Sequence, residues 1–334
     1  MNAVPLLPPF PRGWYALAYA WELPPQGIRA LKFMGQEIVL FRTRSGQVSA
    51  FEAYCPHLGA HFGYGGTVRG ECIRCPFHGF QFDVQGNCTF VPYGTRPPPK
   101  AKAQVFPTQE RNGLILVYYD GENQLPTWDV PELNVDGWSP LLAETWRLRG
   151  HPQETTENSV DIGHFSNIHG YTSVEMLRPL LTQGAYLNIE YAMTRAIGRL
   201  GQSVRAEFEI HIHGLGYSLV EAKVPQFDLR YRLFVLATPI DGEEIHLRIA
   251  LSLYENNSLR KINPILALVP RALVNQVIAR ITFKGFKHDV LQDFTIWQNK
   301  RYVQPPILAE GDGPVGKYRL WARQFYRAAE QELV

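Results

Sequence analysis

Cysteine is scarce in this 334-residue chain, with four residues in all. Once two of them are committed elsewhere no disulfide framework remains, which points to a reducing compartment, the cytoplasm. Charge is sparse and balanced: 33 Lys and Arg face 31 Asp and Glu for a net charge of +2, with no clustered basic stripe. Nucleic acid is thereby excluded as a partner. No apolar run approaches the roughly 18 residues of a membrane span; the nearest, PILALVP at 264–270, is short and closed by prolines. The first residues, MNAVPLLPPFPRGW, lack the basic start and sustained apolar run of a secretion signal. What remains is an ordinary globular composition, 45% hydrophobic and 19% charged, long enough for about two domains.

Three of the four cysteines fall in one stretch. Cys55 to His78 reads CPHLGAHFGYGGTVRGECIRCPFH, a Cys-x-His and a Cys-x-x-His separated by seventeen residues. A [2Fe–2S] cluster of the Rieske kind needs two thiolates on one iron and two imidazoles on the other, and two loops that each give one Cys and one His meet that need. Cys55, His57, Cys75 and His78 are therefore assigned as its ligands. Structural zinc is the competing reading, but such sites pair C-x₂₋₄-C with H-x₃₋₅-H, whereas each pair here is mixed. Cys72 and Cys75 form a CxxC without the βαβ surroundings of a thioredoxin-like motif. Cys72 is read as a small strand residue, Cys88 as structural, and His61 as a solvated loop histidine. Gly59, Gly63, Gly65 and Gly66 either let backbone amides approach the cluster sulfurs or simply make turns. Respiratory Rieske proteins are similar but carry an extra cysteine in each loop, where this chain has Ala60 and Phe77. That departure points to the oxygenase branch, in which the cluster delivers electrons to a second metal.

Along the chain, WYALAYA, IRALKFM, EIVLFRT and VSAFEAY read as short antiparallel strands separated by Pro- and Gly-containing turns. FDVQGNCTFVPYG reads as a hairpin and RNGLILVYYDG as a closing strand, giving a small all-β domain over residues 1–122. Residues 123–334 form the second domain. Its strands alternate with period 2: in VRAEFEIHIHG, Val204, Ala206, Phe208, Ile210 and Ile212 share one face, and EIHLRIALSLY repeats the pattern. With YLNIEYAMTRAIG and FDLRYRLFVLA these make an antiparallel sheet of at least four or five long strands. Helices over 264–280 and 285–302, and a final amphipathic one over 316–331, are expected to cover it. The fold class is α+β, an all-β cluster domain followed by a helix-grip-like sheet and helices. His211 and His213 share a strand face and are read as residues of its half-solvated side.

Between the domains lies ENSVDIGHFSNIHG. His164 and His169 are five apart, preceded by Asn158 and Asp161. A mononuclear non-haem iron of the 2-His-1-carboxylate type needs two such histidines and one acid, with positions left open for O₂. For that acid, FKHDVLQDFTIWQNK offers Asp289 and Asp293, four residues apart and so on one helix face. Helical spacing does not choose between them.

With both motifs in place the chain resembles the oxygenase component of a Rieske non-haem iron oxygenase. It is similar in particular to the branch of 3-ketosteroid 9α-hydroxylase and the cholesterol 7-desaturases. The resemblance rests on YCPHLGAHFGYGGTVRGECIRCPFHGFQF, the NxxDxxHFxxxH spacing, and DFTIWQNK followed by GDGPVGKYRLWARQFY. It implies that Asp293, in its DxxIW context, is the iron carboxylate beside His164 and His169. It also implies that Asn158 and Asp161 belong to the catalytic residues, Asp161 bridging a cluster histidine and an iron histidine across a subunit contact in a homotrimer. Many aromatic-ring dioxygenases have four residues from Asn to Asp; here the step is three, as in the steroid branch. No GxGxxG follows a strand, so electrons from NAD(P)H must arrive through a separate reductase, flavin-containing, with or without a ferredoxin. The expected cofactors are a [2Fe–2S] cluster and a mononuclear Fe(II), with O₂ as cosubstrate. The expected reaction is hydroxylation or desaturation of an apolar ring substrate, a steroid or sterol. An aromatic acid or N-methyl amine as substrate is the alternative, and a pure electron-transfer protein the reading from another class.

Overall fold

Short apolar runs punctuated by turn residues become strands throughout the first third of the chain. The computed structural model describes residues 7–94, 96–197, 202–255 and 269–333. One compact unit comprises Arg12–Glu132 with Thr238–Gly242; the other comprises Leu133–Ala237, Glu243 onward and the segment ending at Pro11.

In the first unit the strands are β1 (Gly13–Tyr19), β2 (Ile28–Phe33), β3 (Gln36–Arg42), β4 (Val48–Glu52), β5 (Thr67–Arg69), β6 (Cys72–Arg74), β7 (Gln81–Asp83), β8 (Cys88–Phe90), β9 (Val105–Phe106), β10 (Thr108–Arg111) and β11 (Leu114–Tyr119). They form three sheets, ordered β1-β11-β10, β2-β3-β4-β9 and β5-β6-β7-β8. The expected hairpin is β7 paired with β8. The closing strand of RNGLILVYYDG begins only after Asn112 and Gly113, whose φ of 58° and 76° make an Asn-Gly turn back to β10. Val39, Phe41, Phe51, Phe62, Ile73 and Phe82 form a core that contains Cys55 and Cys75. The two cluster loops thus hang from buried anchors.

In the second unit seven antiparallel strands form one sheet: β12 (Leu142–Arg149), β13 (Ser173–Gln183), β14 (Tyr186–Ile197), β15 (Gln202–His213), β16 (Ser218–Val224), β17 (Leu229–Pro239) and β18 (Glu244–Leu253). Their order is β12-β18-β17-β16-β15-β14-β13. Sheet and alternation agree with expectation on β15, where Ala206, Phe208, Ile210 and Ile212 are buried. The edge strands β12 and β13 lack a clear alternating pattern. β13 is largely exposed and is irregular between Arg178 and Leu181, where Pro179 sits. A proline cannot donate to the ladder and is confined to edges and bulges.

Helices α1 (Pro152–Glu157), α2 (Ile162–Asn167), α3 (Arg271–Asn299) and α4 (Val315–Ala322) complete the unit. The two helices expected over 264–280 and 285–302 are one continuous helix of 29 residues, residues 264–268 lying outside the described ones. Gly285 costs about 1 kcal/mol in a helix interior relative to Ala. Packing holds α3 together across it: Ala279 meets Leu233, Leu251 and Leu253, while Val290 and Trp297 meet Leu148, Leu247 and Ile249. The final helix expected over 316–331 stops at Ala322 and passes into 3-10 turns at Arg323–Phe325 and Ala328–Leu333. Buried aromatics set that ending, since Phe325 and Tyr326 are inside and the Tyr326 hydroxyl donates to Gln153 Oε1 at 2.6 Å. Among the described residues no helix is long and apolar enough to cross a membrane.

Candidate metal centres

Two matched turns carry the first centre. In Cys55-Pro-His-Leu-Gly59-Ala60 the Cys55 N–H donates to the Ala60 carbonyl at 2.9 Å, and the Gly59 N–H to the Cys55 carbonyl at 2.9 Å. In Cys75-Pro-Phe-His78-Gly79-Phe80 the Cys75 N–H donates to Phe80 at 2.8 Å, and the Gly79 N–H to Cys75 at 3.2 Å. Both glycines take φ +73°, which a residue with a Cβ rarely adopts. The paired turns bring the His57 and His78 rings to 4.7 Å between centroids, with His57 stacked on Phe80 at 4.3 Å.

The donor set fits the cluster assigned from sequence. Nδ1 of His57 and Nδ1 of His78 are both buried with no hydrogen-bond partner among the described residues, which costs on the order of 1–3 kcal/mol per group unless another partner is supplied. Burial, with Cys75 alongside, pushes the Cys55 thiol up to about 12, so a thiolate there requires a bound cation. Cys72 and Cys88 stand apart, the first with its Sγ near the Thr89 hydroxyl, the second directed at the Phe90 carbonyl. His61 departs from expectation: it is not solvated. Its Nδ1 accepts from the Gly63 N–H at 2.9 Å, and its ring packs against Tyr54 and Tyr64.

The second centre is assembled from α2, the second residue beyond it, and α3. One ligand atom each from His164, His169 and Asp293 lies within 4.8 Å of the others, and His169 Nε2 is 3.6 Å from Asp293 Oδ2. Each histidine has Nδ1 engaged: His164 donates to the Asp161 carbonyl at 2.6 Å, His169 to Gln292 Oε1 at 3.0 Å. Both Nε2 atoms therefore point inward as metal-binding lone pairs. Burial and then neighbouring His169 depress His164 to about 4, keeping it neutral. Burial pushes Asp293 up to about 6 against the opposing pull of His169 and a hydrogen bond from Asn158. Two buried donors and the half-buried His164 converge, and they fit a metal of the 2-His-1-carboxylate kind.

Asp289, one turn earlier, is not in this group. Both its oxygens accept from Arg195 Nη1, at 2.8 and 2.9 Å. Asn158 adjoins the group through Asp293 and accepts from Trp297 Nε1 at 3.4 Å. Asp161 caps α2, its carboxylate accepting from the His164 N–H at 3.4 Å; its backbone carbonyl, not its carboxylate, holds the His164 ring, the carboxylate being 3.7 Å away. The last aromatic tail fixes this corner. Arg319 on α4 forks onto Glu157 on α1 at 2.6 and 2.9 Å, and the Asp312 carbonyl accepts the first helical N–H of α2, from Ile162, at 3.0 Å. Gly313, at φ +89°, lies so close that a Cβ there would meet the Val160 carbonyl at 2.3 Å. His211 and His213 are half-buried on the less buried face of β15, in line with expectation, with Tyr186 packed on both rings and its hydroxyl 2.7 Å from His211 Nδ1.

Above the three donors a cavity of about 310 Å³ opens between the sheet and α3, lined among others by Phe165, Met193, Phe208, Ile210, Leu233 and Phe286. Arg195, Asp289 and Tyr171 also line it, and sequence reasoning missed Arg195, Tyr171 and Gln292. Only the position of Gln292 next to Asp293 offered a signal, and a polar residue beside a ligand is too common to single out.

Thiol and imidazole pairs in one unit, and a facial set of two histidines and a carboxylate under an apolar cavity in the other, define the class of two-centre iron oxygenases. Comparisons with known proteins narrow it. The family model of the 3-ketosteroid 9α-hydroxylase C-terminal domain matches residues 117–326, and that of the Rieske [2Fe–2S] domain matches residues 13–107. The cholesterol 7-desaturase nvd of Bombyx mori is 30% identical over 96% of this chain and 70% of its own. The oxygenase component of 3-ketosteroid-9-alpha-monooxygenase from Rhodococcus rhodochrous is 29% identical over 95% and 81%. Among solved structures, Pseudomonas putida CBB5 NdmA with caffeine aligns over 93% of this chain and 89% of its own at TM-score 0.70 and 19% identity. Dicamba monooxygenase bound to dicamba aligns over 96% and 97% at TM-score 0.65 and 16% identity, a likeness of fold. The chain belongs to the Rieske oxygenases, in the family of the 3-ketosteroid 9α-hydroxylases and cholesterol 7-desaturases. It is accordingly an oxidoreductase, an oxygenase component supplied with electrons from elsewhere.

Proposed function

We propose that this chain is the terminal oxygenase of a system that hydroxylates or desaturates a steroid or sterol. The observation that carries the reading is the convergence of His164, His169 and Asp293 at the floor of an apolar cavity. Cys55, His57, Cys75 and His78 would hold the [2Fe–2S] cluster, and His164, His169 and Asp293 the mononuclear iron. Bound there, the two groups supply one-electron storage and O₂ activation. The chain's own residues do the rest. Gln292 and the Asp161 carbonyl keep both iron histidines in the Nδ1–H tautomer. Asn158 orients the Asp293 carboxylate, and Trp297 holds Asn158. Phe165, Phe208 and Leu233 exclude water from the reacting carbon.

The division of labour between residues 1–122 and 123–334 belongs to this proposal, as do a homotrimeric assembly, a cytoplasmic setting and a flavin-containing reductase fed by NAD(P)H, with or without a ferredoxin. Asp161 is the proposed link between centres of neighbouring subunits, its half-exposed carboxylate being available to a second partner. An aromatic acid is disfavoured because Arg195, the one arginine lining the cavity among the described residues, is already neutralised by Asp289. The test is product analysis with a surrogate reductase and a panel of steroids, sterols, aromatic acids and N-methyl amines. Oxidation of a steroid or sterol with coupled O₂ consumption is expected. Turnover confined to an acid or an amine would replace the substrate and leave the enzyme class standing.

A further inference from the structure

Away from the iron ligands, the cavity has two charged residues among the described ones, and they face each other. Arg195 on β14 gives Nη1 to both oxygens of Asp289 on α3, and its guanidinium lies 5.5 Å from the centroid of the Tyr171 ring. We propose that Arg195, held by Asp289 and flanked by Tyr171, is a specificity-determining residue that binds an uncharged acceptor oxygen, a ring carbonyl, on the fused-ring substrate. This rests on the steroid or sterol reading above and assigns the polar end of the same site.

Charge comes first. The pair sums to zero in a place where Arg195 is 32% and Asp289 19% exposed, so a carboxylate or an ammonium would bring in a charge without a partner. Donor and acceptor counts come second. Asp289 has both oxygens on Nη1, whereas a guanidinium carries five N–H groups. The Tyr171 hydroxyl hydrogen-bonds Arg195 and carries a proton of its own to donate. A surplus of donors at this corner favours an oxygen that only accepts: a ketone offers both lone pairs with no proton of its own to place, an alcohol must turn its proton aside. Placement comes third. Asp289 and Asp293 are one helical turn apart, about 6 Å along the axis of α3, a step on the scale of a fused-ring system, so an oxygen held at Arg195 fixes how such a system lies over the iron donors. Arg195 thereby sets which carbon reacts.

The experiment measures by calorimetry the Kd of the holoenzyme for fused-ring ligands of one skeleton bearing a ketone, an alcohol, a methylene or a carboxylate at one position. The ketone should bind about ten- to a hundredfold tighter than the methylene analogue, the range of a hydrogen bond to a charged group, and tighter than the alcohol and the acid. In Arg195→Leu/Asp289→Leu, which removes the pair without leaving a lone charge, that preference should vanish while the methylene analogue binds as before, and product regiochemistry should spread from one major position to several. Should the double variant not fold, Arg195→Lys keeps the charge but loses the fork and should lower the preference. A preference that survives in the folding variant, or is missing from the wild type, overturns the anchor alone. No binding of any fused-ring ligand to the wild type overturns the steroid reading, and the anchor with it.

Discussion

Gln292 takes the Nδ1 proton of His169 at 3.0 Å from the position next to the proposed iron carboxylate, so one turn of α3 supplies both an iron donor and the group that orients another. Replacing it by leucine leaves a buried imidazole N–H without a partner and frees the ring to turn. Gln292→Leu should weaken iron binding about ten- to a hundredfold in a chelator competition while the cluster's absorption is unchanged. The acidity of the same corner gives a second expectation. Asp293 is raised to about 6 by burial, so in the iron-free protein its contribution to stability is present below about pH 4 and lost as pH rises through about 6. His164, depressed to about 4, acts oppositely, with its contribution present above about pH 6.5 and lost as pH falls. Thermal unfolding of iron-free wild type against Asp293→Asn isolates the first effect: the gap between them should narrow as the pH falls below 6. Iron affinity should fall over the same interval, protons competing for the carboxylate.

At the level of elements, α3 is both lid of the cavity and carrier of its chemistry, and Gly285 is the point where it leaves room. A Cβ at Gly285 would meet nothing within 4 Å, and the residue lines the cavity. Gly285→Ala should raise stability by about 1 kcal/mol in denaturant unfolding, with little effect on binding. Gly285→Phe should fill the cavity, raising KM for a fused-ring substrate at least tenfold while iron content stays that of wild type. The same helix shows where sequence reasoning stops. Its apolar segments were legible, but Gly285 and the intervening polar residues divide it into two on paper; only contact with β12, β17 and β18 makes it one. Likewise β14, β15, β17 and β18 were legible from alternation, whereas β12 and β13 are edges that need bury little. The four cluster residues stood out because Cys and His at that spacing have few other uses. Asp293 could not be separated from Asp289 by helical periodicity, since both share a face. Arg195, from a distant strand, is what divides them, by occupying one.

For the molecule as a whole, the proposed cluster donors lie in one compact unit and the proposed iron donors in the other, so loss of one metal group need not cost the other. Anaerobically purified protein should hold about three irons and two labile sulfides per chain. His57→Ala should remove the cluster's absorption and paramagnetic resonance while about one iron remains bound at His164, His169 and Asp293. Zinc in place of both iron and sulfide would end the oxygenase reading.

The fork of Arg319 onto Glu157 joins residues 162 positions apart, and it bears on how the site comes into being. As the chain leaves the ribosome the cluster loops are complete within the first third, and their partners are near neighbours. His164 and His169 emerge early too, but without Asp293, Gln292, the Asp312 carbonyl or Arg319 they sit on, and just beyond, a six-residue helix too short to persist alone. Their order is a debt to the last forty residues of the described chain. Iron binding at the proposed site therefore waits on α3 and α4, and a growing chain completes its proposed cluster loops well before it brings His164, His169 and Asp293 together.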